Sequence, residues 1–319
     1  MVSRTRRDQP AIARDLPDPE ATVAAEGASP ATQPRWRDYW TLTKPRVTAL
    51  AVFTALIGML LSQPSPPPLR PVLGGLAGIW LMAAASFTLN CLLEAAIDAR
   101  MRRTAGRPSA QGRLGTTAIV VFALALGAAG SAILVVFTNL LTWALTLATF
   151  FGYAFVYTLY LKPNTPQNIV IGGAAGAMPP LLGWTAITGE VTAPPLLLVL
   201  IIFVWTPPHF WALALYRQDD YERSGLPMLP VTHGRDFTLL SMLLYAWLLL
   251  AASLLPLAIR MSGWIYGVAA IALGVRFIQL TWRLKNAYSD AQSRRVFKFS
   301  LTYLSGLFAA LIFDHYLLR

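Results

Sequence analysis

Six uncharged runs constrain this chain more than anything else in it. They extend over 47–69, 71–93, 114–161, 163–189, 191–216 and 237–259, and each is long enough to cross a bilayer core, which takes about 20 helical residues. The run 114–161 is twice that length, and Thr138-Asn139 in its middle marks a short turn, so it reads as two helices. Two weaker spans follow at about 261–282 and 299–317, which gives nine. Because lipid cannot satisfy backbone polar groups, such spans are helices. The expected fold class is therefore all-α, a polytopic membrane bundle of nine transmembrane helices over 35–319. With 55% hydrophobic and only 13% charged residues, a soluble globular domain is excluded.

The net charge of +11 reports topology rather than nucleic acid. With the N-terminus in the cytoplasm, 22 of the 26 Lys and Arg fall in cytoplasmic segments, as the positive-inside rule requires, and shifting the frame by one helix reverses the asymmetry. Residues 1–34, rich in Pro, Ala, Arg and acids without apolar periodicity, read as a disordered cytoplasmic tail. Asp8, Asp15, Asp18, Glu20 and Glu26 in that tail argue against a mitochondrial presequence, so a bacterial plasma (inner) membrane is expected. Trp36, Tyr39 and Trp40 read as interfacial anchors. A single cysteine, Cys91, excludes an intrachain disulfide and a cysteine-rich metal site.

The sharpest break in the apolar pattern runs from Asn90 through Glu94 and Asp98 to Arg102, Arg103 and Arg107. Asn90, Glu94, Asp98 and Arg102 are spaced by four, which on a regular helix makes one polar stripe at a helix end. Two carboxylates and an amide oxygen are hard oxygen ligands of the kind magnesium takes when it bridges protein to phosphates. Arginines beside them suit phosphate oxygens. The plainer alternative is a cytoplasmic helix end with solvated acids, but acids at membrane depth are usually functional. The loop 104–113, with Gly106, Pro108 and Gly112, stops the helix and allows closure over a site.

A second polar group lies at 206–230. If the helix stays regular beyond Pro207-Pro208, then His209, Tyr216 and Asp220 share a direction within about 20°, while Asp219 points to solvent. His209 then sits at least about 10 Å inside the helix end, and a histidine hydrogen-bonded between helices is the alternative to a catalytic one. Arg46 after Lys44-Pro45 reads equally as a headgroup contact or a phosphate ligand, and Lys162 as an anion ligand or a snorkelling residue. Tyr153, Tyr157 and Tyr160 fit an aromatic belt better than a binding surface. Gly172, Gly173 and Gly176 suit close helix packing, and Pro179-Pro180 should bend the fifth span and free backbone carbonyls. Arg276 inside the eighth span either snorkels or meets a buried anion, the 283–298 segment reads as a basic loop, and Asp314 and His315 read as solvated.

Acids and cations at one membrane face with apolar helices behind them make a site for magnesium, a diphosphate and an isoprenoid tail. Neutralising the leaving diphosphate promotes ionisation of an allylic C–O bond, and Tyr, Trp205 and Trp211 faces stabilise the cation. Three features resemble the UbiA superfamily of intramembrane prenyltransferases: Asn90-x-x-x-Glu94-x-x-x-Asp98, the Lys162-x-x-Thr165-x-x-Asn168 core, and a later acidic stretch. Within it, Asp98-x-x-Met101-x-Arg103-Thr104-x-x-Arg107-Pro108, the Gly172-to-Pro180 run and Pro208-His209-Phe210-Trp211 through Pro230 are similar to the branch that farnesylates heme.

The resemblance covers about 38–318 and implies a UbiA-type bundle. It implies Asn90, Glu94, Asp98 and Asp220 as magnesium ligands, and Arg46, Arg102, Arg103 and Lys162 on the diphosphate, where Arg217 is a further cation available by its position beside Asp220. Asp98, Asp220, His209 and Tyr216 are the expected catalytic residues. Farnesyl diphosphate and heme B are the implied substrates, a hydroxyfarnesylated heme (heme O) the product, and a heme A synthase or oxidase assembly factor an expected partner. Glu94 departs from the superfamily's usual Asp, and Tyr216 stands where the second motif usually has an acid, which leaves metal binding there less supported. A prenyltransferase acting on a quinone precursor, or a transporter, is the alternative. Transporters usually show internal repeats and paired broken helices near the midplane.

Overall fold

A computed structural model describes residues 35–317. The expected disordered tail, 1–34, lies outside them. All regular elements among the described residues are helical. Besides single turns and one π-helical segment they are α1 (Trp36–Leu42), α2 (Pro45–Leu61), α3 (Leu69–Leu93), α4 (Thr116–Phe137), α5 (Leu140–Phe151), α6 (Asn168–Ala177), α7 (Pro179–Thr188), α8 (Ala193–Leu215), α9 (Gln218–Ser224), α10 (Gly234–Ala258), α11 (Trp264–Asn286) and α12 (Asp290–Leu317). Eight stretches are long and apolar enough to span a membrane, and α1 with α2, bent by 51°, makes the ninth. This is a multi-pass membrane protein.

Each boundary has a local cause. Pro45 opens α2, where its missing N–H costs nothing, and Lys44 before it takes a left-handed backbone, φ 48°, which turns the chain between α1 and α2. Asn139 ends the long apolar run as expected: its Oδ1 accepts from the Thr142 N–H at 2.9 Å, and its Nδ2 donates to the Thr185 carbonyl at 2.7 Å. Met178 separates α6 from α7 at the proline pair. Pro180 has no N–H for the Gly176 carbonyl, the Ala175 carbonyl accepts instead from the Met178 N–H at 3.4 Å, and Ala175 and Gly176 line a cavity, the setting in which a membrane tolerates irregular backbone. Pro207 and Pro208 lie inside α8 without ending it.

Apolar attraction between helices is weak in lipid, so close packing must hold them together. At the α2–α7 crossing the backbones nearly touch: a Cβ on Gly183 would lie 1.9 Å from the Ala55 carbonyl oxygen, and one on Gly58 1.9 Å from that of Pro180. Two buried clusters result. One joins α8, α10, α11 and α12 around Trp211, Tyr266, Phe277, Tyr303 and Phe308; the other joins α2, α3, α4 and α7 around Met59, Ile79, Met82, Leu134 and Leu182.

Two expectations about the second half need correction. The 283–298 segment is not a loop: α11 runs to Asn286 and α12 starts at Asp290, so Arg294, Arg295 and Lys298 stand on the first turns of the last helix. Asp314 and His315 are not solvated, with exposures of 1% and 7%. Asp314 accepts from Ser262 Oγ at 2.8 Å and from the Gly263 and Tyr266 N–H groups, so it caps α11 from another helix, and His315 Nε2 lies 3.0 Å from the Gln63 carbonyl. The connecting loops fold over that helix end and bury it. Of the two alternatives for Arg276, snorkelling is the one that fits: it makes an exposed hydrogen bond to Gln279 at 3.3 Å and none to a buried anion among the described residues.

Candidate active site

The polar stripe is bent rather than straight. Glu94, at φ −94° and ψ 3°, ends α3, and a single turn, Ala95–Asp98, follows it. The change of direction still leaves Asn90, Glu94 and Asp98 buried, at 1%, 3% and 2% exposure. It carries Arg102 out to solvent, so the ion pair to Asp98 is made by Arg107 instead, with Nη1 2.5 Å from Oδ2. Asn90 is the hub: Nδ2 donates to Glu94 Oε1 at 2.8 Å and to Thr158 Oγ1 at 2.9 Å, while Oδ1 accepts from Lys44 Nζ at 2.5 Å. Lys162 Nζ lies 2.6 Å from the same Glu94 oxygen. Burial pushes the Glu94 carboxyl up, but the charges of Lys162 and Lys44 and the hydrogen bonds from Lys162 and Asn90 outweigh it and hold the group below its ordinary value.

Thr158 reaches Asn90 because the chain after α5 winds as a π-helix, Gly152–Leu161, with i→i+5 bonding. Such segments are rare and concentrate at functional sites. The Thr158 hydroxyl donates to the Tyr153 carbonyl at 2.9 Å and so keeps its lone pairs for Asn90. On the same segment Tyr153 and Tyr157 stack at 5.3 Å, Phe87 meets Tyr153 edge-on at 5.1 Å, and Lys44 Nζ stands 5.3 Å from the Phe87 ring. Tyr153 and Tyr157 thus line a cavity rather than a membrane belt, whereas Tyr160, 68% exposed, faces outward as a belt residue would.

That cavity measures about 720 Å³, within the ~300–1,000 Å³ usual for small-molecule sites. Arg46, exposed at the start of α2, is on its rim, and Ile79, Met82, Leu182, Ile202 and Leu304 from both packed clusters form its apolar walls. Trp205, His209 and Phe297 close one side. His209 is stacked between Trp205 at 4.1 Å and Phe297 at 4.6 Å, and its Nδ1 lies 2.6 Å from Ser300 Oγ. Since the Ser300 hydroxyl donates to the Phe297 carbonyl at 2.7 Å, we assign the Nδ1–H tautomer, which leaves a lone pair on Nε2.

His209, Tyr216 and Asp220 do not share one continuous helix. α8 stops at Leu215, Tyr216 and Arg217 leave helical geometry, and α9 begins at Gln218, so the premise of a regular helix through Asp220 fails. Asp220 is buried at 4% and held by Arg223 at 2.7 Å and Arg217 at 3.7 Å, while Asp219 is exposed as expected. Tyr216 is half-buried between cations, with Arg294 and Arg217 at 5.2 and 5.8 Å from its ring. Burial pushes the neighbouring Tyr221 phenol up to about 12, with Arg103 near enough to oppose it. Arg103 also acts on Tyr216, so this exposed arginine lies between the two acidic stretches.

Among the described residues, no three His, Cys, Asp or Glu groups converge to hold one metal ion by themselves. Magnesium more often takes one or two carboxylates together with substrate phosphates, and the donor chemistry here suits that. Glu94 uses only Oε1 and Asp98 only Oδ2 toward its partners among the described residues, which leaves the second oxygen of each for another ligand. Lys44 and Thr158 were not among the expected site residues, and Arg107 was named only as one of three candidate phosphate arginines. The left-handed bend that swings Lys44 inward, and the π-helix that presents Thr158, have no signature in residue spacing.

The sequence profile of the UbiA prenyltransferase family matches residues 51–306. The chain belongs to this family. It is 61% identical over 289 residues to the protoheme IX farnesyltransferase of Polynucleobacter asymbioticus, covering 91% of this chain and 97% of that one. It is 60% identical over 280 residues to that of Cupriavidus necator, covering 88% and 91%. Among solved structures, a digeranylgeranylglyceryl phosphate synthase shares the fold with TM-score 0.74 at 18% identity, over 88% of this chain and 98% of that one. An Archaeoglobus fulgidus UbiA homologue bound to GPP and Mg²⁺ does so with TM-score 0.57 at 16% identity, over 86% and 99%. The UbiA bundle expected from the motifs is therefore the fold observed.

Proposed function

We propose that this UbiA-family protein is a magnesium-dependent protoheme IX farnesyltransferase. It transfers the farnesyl group of farnesyl diphosphate to a vinyl group of heme B, adds water and releases heme O and diphosphate. The observation that carries the reading is one arrangement: a buried acid–amide–cation cluster, Asn90, Glu94, Asp98, Lys44, Lys162 and Arg107, beside an apolar cavity of about 720 Å³. Identity near 60% to protoheme IX farnesyltransferases supports the choice of donor and acceptor.

In this reading Asn90, Glu94, Asp98 and Asp220 would be magnesium ligands together with the substrate phosphates, not all on one ion, and bound magnesium would neutralise the leaving diphosphate. Arg46, Arg102, Arg103, Lys162 and Arg217 take phosphate oxygens, joined by Lys44 and Arg107, whose present carboxylate and amide contacts are exchanged for the substrate. The isoprenoid chain lies in the cavity, which excludes water from the allylic carbon. As the C–O bond breaks, the electron pair leaves with the diphosphate, and the faces of Tyr153, Tyr157 and Trp205 stabilise the carbocation. The heme vinyl π-electrons then attack it. Water captures the resulting cation and loses a proton, for which His209 Nε2 is the base. Tyr216 bounds the acceptor side.

The active face is cytoplasmic, because most Lys and Arg of the described residues flank the helix ends around this cluster, and a bacterial plasma membrane fits the acids of segment 1–34, which argue against a mitochondrial presequence. The test is expression in a bacterium lacking its own heme O synthase, followed by chromatography of extracted hemes. Heme O should reappear. Unchanged heme B together with a prenylated quinone precursor would assign the chemistry to a different acceptor.

A further inference from the structure

The first turns of α12 carry two kinds of residue on one face. Arg294, Phe297, Lys298, Leu301 and Leu304 follow the i, i+3, i+4 pattern of a single helical stripe. Its inner members, Phe297, Leu301 and Leu304, line the cavity, while its outer members, Arg294 and Lys298, line an adjoining open groove of about 610 Å³ with Arg295, Ala291 and Asp290. The two spaces are joined by flat groups in series. The Arg294 guanidinium lies 5.2 Å from the Tyr216 ring, Tyr216 meets Phe297 edge-on at 6.3 Å, Phe297 stacks on His209 at 4.6 Å, and His209 on Trp205 at 4.1 Å. The chemistry assigned to the diphosphate does not use the cationic end of this series. Arg294 is exposed and makes no ion pair among the described residues; the one acid lining the groove, Asp290, accepts from the Tyr288 hydroxyl at 2.8 Å.

A ladder of rings ending in guanidinium suits a flat aromatic acceptor with carboxylates on one edge. We propose that Arg294, supported by Lys298, binds the propionate edge of the heme acceptor, and that the macrocycle lies along Tyr216 and Phe297 with its vinyl edge toward His209. This rests on the proposed function and adds to it the subsite and orientation of the acceptor. The distance is suitable: Arg294 to Ser300, the partner of His209, covers about 9 Å of helix axis, the order of the macrocycle's width. Arginine is also the side chain matched to carboxylate, through two parallel N–H donors. Orientation then sets which edge of the porphyrin meets the farnesyl cation.

The test compares heme B with its dimethyl ester, in which both carboxylates are masked, using the full chain in phosphatidylcholine nanodiscs. Wild type and Arg294→Gln are each titrated with both hemes by absorbance and assayed for turnover, with Arg294→Lys as the conservative variant. Wild type should bind the ester about 10-fold or more weaker than heme B, the scale of losing a charge-assisted hydrogen bond. Arg294→Gln should bind heme B as weakly as wild type binds the ester, show no further loss with the ester, and keep its KM for farnesyl diphosphate. Arg294→Lys should recover part of the difference. Full discrimination between heme and ester in Arg294→Gln overturns the subsite while leaving the enzyme's function intact. An effect of Arg294→Gln seen only when phosphatidylglycerol is added to the nanodiscs also overturns it, since the arginine then serves a lipid headgroup. A wild-type chain that farnesylates no porphyrin sinks the function, and the subsite falls with it.

Discussion

Asn90, Glu94 and Asp98 are ordinary residue types in a place where their burial demands partners. Each acid has one, Lys162 or Arg107, at 2.6 and 2.5 Å. A buried charge stripped of its partner costs about 3–5 kcal/mol, so Arg107→Ala should lower the thermal midpoint of the detergent-solubilised protein. Adding Asp98→Asn to Arg107→Ala should restore part of that loss, because the two act as a unit; equal, additive losses would show that the pair is incidental. In activity the order differs. Asp98→Asn and Asp220→Asn should each lower turnover by about 10²–10³-fold, the range for losing one preorganised electrostatic group, while the protein still inserts. Glu94→Asp should keep far more activity than Glu94→Gln, since a carboxylate remains. At His209 the rings of Trp205 and Phe297 hold the imidazole plane and Ser300 holds Nδ1. His209→Ala should therefore leave the heme Soret band in place and lower product formation by about 10²–10⁴-fold, the usual contribution of a general base. A shifted Soret band with weaker heme binding would make it an iron ligand instead.

Helices were legible where their causes are local, and illegible where they depend on what lies opposite. The turn at Asn139 and an irregularity at Pro179-Pro180 could be read from residue type, and both stand where expected, the second as an interruption at Met178 rather than only a bend. The bend at Glu94 and the stop at Leu215 could not, because Asn90-x-x-x-Glu94-x-x-x-Asp98 has perfect helical spacing whether or not the helix continues. The same holds for Lys44, whose left-handed backbone is set by the turn between α1 and α2. Glycine spacing suggested close packing at 172–177, and it holds at Gly172 and Gly173, where a Cβ would lie 2.2 Å from Tyr157 and 3.2 Å from Thr206, but not at Gly176, and the tightest approach is at Gly58 and Gly183. Because the atom facing each of these is a backbone carbonyl that cannot rotate away, Gly183→Ala must push α2 from α7. It should cost several degrees of thermal midpoint, whereas Gly152→Ala, with nothing within 4 Å of its Cβ, should be tolerated. Equal effects of the two substitutions in a detergent melting assay would show that the crossing yields more easily than its geometry implies.

At the scale of the whole molecule, alternation of apolar runs with basic segments was enough to give the bundle, because a membrane leaves a chain few other options. What that pattern could not give is how far the cavity reaches, since its walls come from helices distant in sequence. If the cluster works through magnesium, EDTA should stop turnover and excess Mg²⁺ restore it; turnover that persists in EDTA would return the carboxylates to a purely structural role. The orientation is a separate prediction that follows from charge alone. Gln111 lies in the basic 99–115 segment beside the acidic cluster, whereas Glu190 lies in the connection between α7 and α8, at the opposite helix ends, and both are exposed. The only native cysteine, Cys91, is buried and is first replaced by serine. With Gln111→Cys or Glu190→Cys introduced singly, a membrane-impermeant maleimide applied to intact spheroplasts should label only the Glu190→Cys chain, and the Gln111→Cys chain only after the membrane is opened. Labelling of Gln111→Cys from outside would place the diphosphate site on the wrong face for a substrate made in the cytoplasm. The positive-inside reading, and the cytoplasmic active face built on it, would then have to be abandoned together.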